Sequence, residues 1–253
     1  MTLPAWFSLA ALESCASTND EAKARARAGA PEGTLVWARR QTAGRGRRGR
    51  TWDSDGGNLY CSLVVRPAAD SAAAAQLSFV AALAVAEAVS DQIAGAPRLK
   101  WPNDVLVEGA KIAGILLEAE PGSTGRLDWL VVGTGINVCS HPEGLDRATT
   151  DLVACGAADA SVEGTLARYA SHFLAWYQRW QRQGFAPVRA AWLNAAYGVG
   201  EPVRLSAPQG AQTGSEVPLG RFVDLDLDGA LLVEGATGRQ RITAGDVVFG
   251  TGA

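Results

Sequence analysis

Residues 72–89 form the longest apolar stretch of the chain, built mostly of alanine and interrupted by Gln76, Ser78 and Glu87. Its larger side chains recur at helical spacing, which predicts a long helix over residues 71–93. The polar interruptions and the small alanines argue for a helix buried in a folded core rather than a membrane span. Such a helix needs other elements to cover it, and the remaining sequence supplies them.

Thr18-x-x-Glu21 has the form of a capping box, so a first helix starts there, continues through residues 23–28 and stops at Gly29. Residues 34–38 and 58–65 read as strands, and three more apolar segments follow at 99–107 (broken by Pro102), 111–119 and 129–138. Helical patterns return at 162–183 and 188–197. After Gly198 the character changes to short alternating runs at 203–205, 221–227, 230–233 and 239–243, separated by Gly and Pro turns. The expectation is an α+β protein: a mixed β-sheet packed against helices over residues 1–198, and a small β-barrel over 199–253. Asp224-x-Asp226-x-Asp228-Gly229 opens like a calcium loop, but the twelfth position is Gly235, with Glu234 one residue early, so calcium is rejected.

A net charge of −3 over 253 residues gives no overall basic field for a long polyanion, which counts against a nucleic-acid partner. The N-terminus lacks the basic, apolar and small-residue regions of a secretory signal, so a cytoplasmic protein is expected. Cys15, Cys61, Cys139 and Cys155 are widely separated and read as reduced thiols. His141 and His172 have no metal-ligand spacing around them, and no protein-held metal is expected.

Between the first two strands lies Gly44-Arg45-Gly46-Arg47-Arg48-Gly49-Arg50. Glycines allow close backbone approach, and guanidinium forks match carboxylate and phosphate oxygens, so an anionic ligand is one reading. A flexible RNA-binding tract is another. The tract is short and unrepeated and runs directly into Thr51-Trp52, which weighs toward the anion site. Lys100-Trp101-Pro102-Asn103-Asp104 sets a cation, an amide and a carboxylate around a proline, and Lys111 stands at the mouth of an apolar strand. Gly133-Thr134-Gly135-Ile136-Asn137 is glycine-rich within a strand and has no helix after it, so it fails the dinucleotide fingerprint and suggests a β-bulge.

Taken in order, Ser17-Thr18-Asn19, Gln41-Thr42-Ala43, the 44–50 loop with Trp52, Lys100 to Asp104, Lys111 to Glu118 and Gly133 to Val138 closely resemble the biotin protein ligases, also called biotin–[acetyl-CoA-carboxylase] ligases. The resemblance is strong over residues 14–140 and weak in the C-terminal part. It implies a catalytic domain of the biotin/lipoate ligase type, similar to class II aminoacyl-tRNA synthetases, followed by an SH3-like barrel. It also implies a two-step reaction. Biotin and Mg-ATP form biotinyl-5′-AMP, and a lysine of a biotin carboxyl carrier protein of acetyl-CoA carboxylase then takes the biotinyl group.

Carried over by the resemblance, Ser17, Thr18, Asn19, Gln41, Arg45, Gly46, Arg47, Lys111 and Gly114 hold biotin. Arg45, Arg47, Arg48, Arg50, Trp52, Lys111 and Asn137 hold ATP or the adenylate, with Trp52 against adenine. Arg47, Lys111 and Asp104 are the catalytic set, Asp104 either positioning groups or accepting a proton, and Mg²⁺ arrives on ATP. Joining a carboxylate to a phosphate brings two anions together, so fixed cations are needed there in any case. Relatives often carry an N-terminal DNA-binding domain, for which this sequence leaves no room before Ser17, so no operator binding is expected. Homodimers occur among relatives and remain open here. A lipoate-protein ligase is the nearest alternative, since it shares the fold and the adenylation chemistry, and a non-enzymatic RNA-binding module is the weakest. Ordering the heptad costs about 1–2 kcal/mol per residue, and its four charged hydrogen-bonding side chains return about 1.5–3 kcal/mol each. These nearly cancel, so the loop is expected to be mobile when empty and ordered under bound biotin and ATP.

Overall fold

The computed structural model, which describes residues 1–122, 126–205 and 217–250, is built on two β-sheets. Strand β1 (Ser8–Leu12) runs parallel to β2 (Thr34–Ala38), with helix α1 (Thr18–Arg27) making the crossover between them. After the arginine loop, β3 (Leu59–Val65) pairs antiparallel with β2. The chain then crosses through α2 (Ser71–Ala75) and α3 (Leu77–Ser90) to the far edge and builds back inward. It does so as β4 (Arg98–Lys100), β5 (Asp104–Val107), β6 (Ala110–Pro121) and β7 (Leu127–Ile136). Strand β7 closes the order β1-β2-β3-β7-β6-β5-β4 by pairing with β3 on one side and β6 on the other, so the seven-stranded sheet is mixed.

Helices α4 (Val162–Gln183) and α5 (Ala186–Asn194) follow. The C-terminal part is a five-stranded antiparallel sheet made of β8 (Pro202–Leu205), β9 (Val217–Leu225), β10 (Leu231–Gly235), β11 (Gly238–Ile242) and β12 (Val247–Phe249). Residues 206–216 and 251–253 of the expected barrel lie outside the described residues.

The alanine-rich segment does what its composition demands. Helix α3 packs between α4 and strands β5 to β7 and is buried along nearly its whole length, its alanines allowing close approach. By length and composition residues 72–90 would reach across a membrane, yet 72% of the most apolar stretch is covered within the fold. The expected single helix is interrupted at Gln76 and ends at Ser90. The Gln76 side chain donates to Leu227 O at 3.3 Å and accepts from Trp180 Nε1 at 2.8 Å, tying the helix start to both α4 and the second sheet.

Phe79 packs edge-on against Phe185 and Trp192, and the same continuous core takes in Val203, Phe222 and Leu231 of the second sheet. The turn between β9 and β10 docks on the first sheet. Trp101 Nε1 donates to Gly229 O at 3.0 Å, and a Cβ at Gly229 would meet Phe79 at 2.6 Å. The aspartates whose spacing excluded a calcium loop are paired within the protein. Asp226 and Asp228 hold Arg241, and Asp224 accepts from Arg189 at 2.5 Å.

Three local expectations are corrected. Strand β1 was not anticipated, because Ser-Leu-Ala-Ala-Leu has neither alternation nor a β-branched residue. The capping box does not form: α1 starts at Thr18, and Ser17 makes no side-chain cap. Helix α5 begins at Ala186, with Pro187 in its first turn, and ends at Asn194.

Candidate active site

The start of α1, the inner strands β6 and β7, the arginine loop, the β4–β5 turn and β12 surround one cavity of about 650 Å³. Ser17, Thr18 and Asn19 are buried in its wall. Gln41 Oε1 accepts from the Thr18 amide at 2.8 Å and the Thr18 hydroxyl at 3.1 Å. That hydroxyl therefore serves the cavity wall instead of the helix end, which is why the capping box is lost. Gln41 Nε2 donates to Ser54 Oγ at 2.9 Å, and Ser54 Oγ donates to Trp52 O at 2.9 Å, so one chain of bonds links α1 to the Trp52 backbone. Ser62 of β3, fully buried, stands 2.8 Å from Thr18 Oγ1 and 2.6 Å from Asn19 Oδ1. Asn19 Nδ2 donates to Glu118 Oε2 at 2.7 Å.

The glycines of β6 and β7 are floor space. A Cβ at Gly133 would fall on the Asn19 amide, and one at Gly135 would lie 2.6 Å from the Trp52 indole. At Gly114 it would lie 2.9 Å from Trp52 and 3.1 Å from Lys111 Nζ. The expected β-bulge is absent: β7 keeps unbroken register with both neighbours from Leu130 to Ile136. The glycines answer to the side chains above them rather than to a kink in the strand.

Lys111 is almost fully buried, its ammonium paired with Asp104 and 5.2 Å from the centre of the Trp52 ring. Burial pushes the Lys111 pKa down, and Arg147 and Arg50 push the same way while Asp104 opposes them. Lys100 is lowered for the same leading reason. Among the described residues, the buried Trp52 indole N–H has no protein partner.

The arginine loop makes a short 3₁₀ turn at residues 47–49, with Arg48 at φ 57° and Gly49 at φ 74°. Its guanidinium groups face carboxylates of the protein. Arg45 reaches Asp20 at 2.6 Å and Glu118 at 3.2 Å. Arg47 donates to Asn103 Oδ1 at 3.2 Å, to Asp246 Oδ1 at 3.2 Å and to Gly245 O at 3.3 Å. Arg50 also pairs with Asp246, and Arg48 approaches it at 3.9 Å. Asp246, just before β12, thus gathers guanidinium groups that phosphate oxygens would also attract.

The cavity brings together Ser17, Thr18, Asn19 and Gln41 with Arg45, Gly46, Arg47 and Arg50, and all of these with Trp52, Asp104, Lys111 and Gly114. Arg48 and Asn137 do not reach its wall. Asn137 is buried and spends its amide on Thr150 O at 2.9 Å, steadying the segment after β7. Sequence reading missed Ser54, Ser62, Asn103, Glu118, Arg147 and Asp246 as site residues. Asn103 and Glu118 stand within motifs that carry the resemblance, and Ser62 is a hydroxyl amid bulky strand neighbours.

A sequence model of the Biotin/lipoate A/B protein ligase family matches residues 11–137, and one of the Biotin protein ligase C terminal domain matches residues 200–250. The chain belongs to the Biotin/lipoate A/B protein ligase family. This ligase is 43% identical to the biotin–[acetyl-CoA-carboxylase] ligase of Paracoccus denitrificans, over 92% of its own length and 97% of the relative's. It is 33% identical to the bifunctional ligase/repressor BirA of Bacillus subtilis (strain 168), over 92% of this chain and 71% of that protein. Among solved structures, the biotin protein ligase from Aquifex aeolicus in complex with biotin and ATP superposes with a TM-score of 0.78 at 27% identity, covering 96% of this chain and 98% of that one. The mixed sheet with its helices and the C-terminal antiparallel sheet of this ligase are therefore the architecture that the sequence resemblance implied.

Proposed function

We propose that this ligase activates biotin with Mg-ATP and passes the biotinyl group to a lysine of a biotin carboxyl carrier domain. One observation carries the reading. A single cavity is lined by a polar seat of Ser17, Thr18, Asn19 and Gln41, by the Trp52 indole and by Arg47 and Lys111, with the Lys111 ammonium 5.2 Å from the centre of the indole. About 650 Å³ is in the range of sites that enclose ligands of this size.

The polar seat offers donors and acceptors to the ureido ring, and the indole offers adenine an aromatic surface. The biotin carboxylate and the α-phosphate then meet beside Lys111. A carboxylate oxygen attacks the α-phosphorus, the bond from that phosphorus to the bridging oxygen breaks, and pyrophosphate leaves with its Mg²⁺. Fixed charge from Lys111 and Arg47 offsets the repulsion between the two anions. In the second step the carrier lysine amine attacks the acyl carbon, an amide forms, and AMP departs as the amine loses its proton. Asp104, paired with Lys111, sets where that ammonium stands, and in this reading it is the carboxylate that positions or accepts the proton. Magnesium enters as part of the nucleotide: Asp104 and Asp246 are engaged by Lys111 and by Arg47 and Arg50. In this reading residues 1–198 form the catalytic unit, and the C-terminal unit, 199–253, lends Asp246 to the cavity wall.

Exchange of labelled pyrophosphate into ATP tests the reading. It is expected to depend on biotin and to be weak with lipoate. Equal exchange with lipoate, or exchange that needs neither acid, contradicts it.

A further inference from the structure

Arg45 is the one arginine of the loop whose partners lie away from Asp246. Its guanidinium sits on Asp20 at 2.6 Å and Glu118 at 3.2 Å. Lys23 bridges the same two carboxylates, at 2.8 Å from Asp20 and 2.7 Å from Glu118. Two acids and two cations therefore balance only while the loop is down; with the loop lifted, the cluster keeps an unmatched negative charge. The Lys23 hydrogen bond and the Arg45 charge hold the Asp20 carboxyl below its usual range against the burial that opposes them.

Arg45 reaches both Glu118 oxygens, Oε1 at 3.5 Å and Oε2 at 3.2 Å, and the nearer of them, Oε2, also receives Asn19 Nδ2 at 2.7 Å. Asn19 is held on its other side by Ser62, and its amide lies over Gly133 in the space that a Cβ there would take. Loop and polar seat thus share one carboxylate oxygen.

We propose that Asp20 and Glu118 are positioning residues, an acidic latch that seats Arg45 and couples closure of the 44–50 loop to occupation of the Asn19 end of the cavity. The coupling is reciprocal: a ligand that fixes the Asn19 amide fixes Glu118 for Arg45, and a seated Arg45 fixes the amide for the ligand. The latch differs in kind from the contacts at Asp246. Phosphates compete with Asp246 for Arg47 and Arg50, whereas the carboxylates around Arg45 repel phosphate. The Arg45 seat therefore keeps the lid down while the other arginines change partners. The inference rests on the reading of the cavity as a biotin and ATP site.

The test uses the full chain with Arg45→Gln, Glu118→Gln and the double variant, following release of biotinyl-5′-AMP and tryptic cleavage at Arg47 to Arg50. Each single variant is expected to release the adenylate about fivefold faster, the scale of a half-exposed ion pair, and the double variant no faster than either. Biotin alone is expected to slow cleavage of the wild-type loop and to lose that effect in both single variants. Rates in the double variant that multiply, or biotin protection that survives in the single variants, overturn the latch. Should Glu118→Gln fail to fold, Arg45→Gln at its exposed loop position decides the matter by the same protection assay. A wild-type protein that makes no biotinyl-5′-AMP overturns the ligase reading and the latch together, and that control separates this outcome from failure of the latch alone.

Discussion

Gly135→Ala puts one methyl group into the floor under Trp52. The added Cβ would stand 2.6 Å from Cε2, 2.7 Å from Cζ2 and 2.8 Å from Nε1 of the indole. Ordinary contact begins at 3.4 Å, so the ring must rise by roughly 0.8 Å, the difference from 2.6 Å. Three ring atoms are struck at once, and a rigid bicycle has no flexible end to swing aside. The backbone at Gly135 lies within regular β-pairing on both sides, so alanine adds no dihedral strain and the effect is steric. Overpacking of this kind costs about 1–3 kcal/mol, or about 5- to 150-fold in affinity if the displaced ring enters the nucleotide's space. Gly133→Ala is the matched control, since its methyl group falls on Asn19 instead of Trp52. Calorimetric titration with a non-hydrolysable ATP analogue and, separately, with biotin reads the difference. Gly135→Ala is expected to weaken the analogue by about tenfold or more and biotin by less than about twofold, and Gly133→Ala is expected to do the reverse. Equal losses of both ligands in both variants would refute the division of the cavity into two ends.

Ser62→Ala removes a fully buried hydroxyl and strips Asn19 Oδ1 of its partner. It should cost about 1–3 kcal/mol in denaturant-melt stability and weaken biotin binding. Arg47→Gly loses the contacts to Asn103 and Asp246 and the charge over the reacting groups. Free biotinyl-5′-AMP should then appear in solution, measured by filter separation, and unchanged retention removes the role given to that residue. Burial lowers the Lys111 pKa, so its charge is lost earlier as pH rises. The adenylation rate should accordingly fall on an alkaline limb below the ordinary lysine value of 10.5. A limb shared unchanged by Lys111→Arg would assign it to another group.

Elements with a long, regular pattern were legible in the sequence. The amphipathic period placed α4 at Val162–Gln183 residue for residue, and the apolar runs located β5 to β7 to within a few positions. What escaped depended on distant partners. Asp246 lies 199 residues from Arg47, and a lone acid in a turn looks like solvated charge until the fold brings the guanidinium groups to it. Glu118 reads as the polar end of a strand, and only the packing of α1 on β2, β3 and β7 brings Asn19 and the loop's Arg45 to it. Local rules failed where tertiary bonds claimed the same atoms: Thr18 gave its hydroxyl to Gln41, and the glycines of β7 served Asn19 and Trp52. Asn137 is a motif position whose amide bonds the neighbouring backbone at Thr150, a contact no local pattern announces.

The most direct test is a crystal structure of this protein with biotinyl-5′-AMP. It should place the ureido ring against Thr18, Asn19 and Gln41 and the adenine against Trp52. The phosphate should lie between Lys111 and Arg47, with Arg50 drawn from Asp246 and Arg45 still on Glu118. An adenylate bound with its rings at the opposite ends, or outside this cavity, would contradict the account.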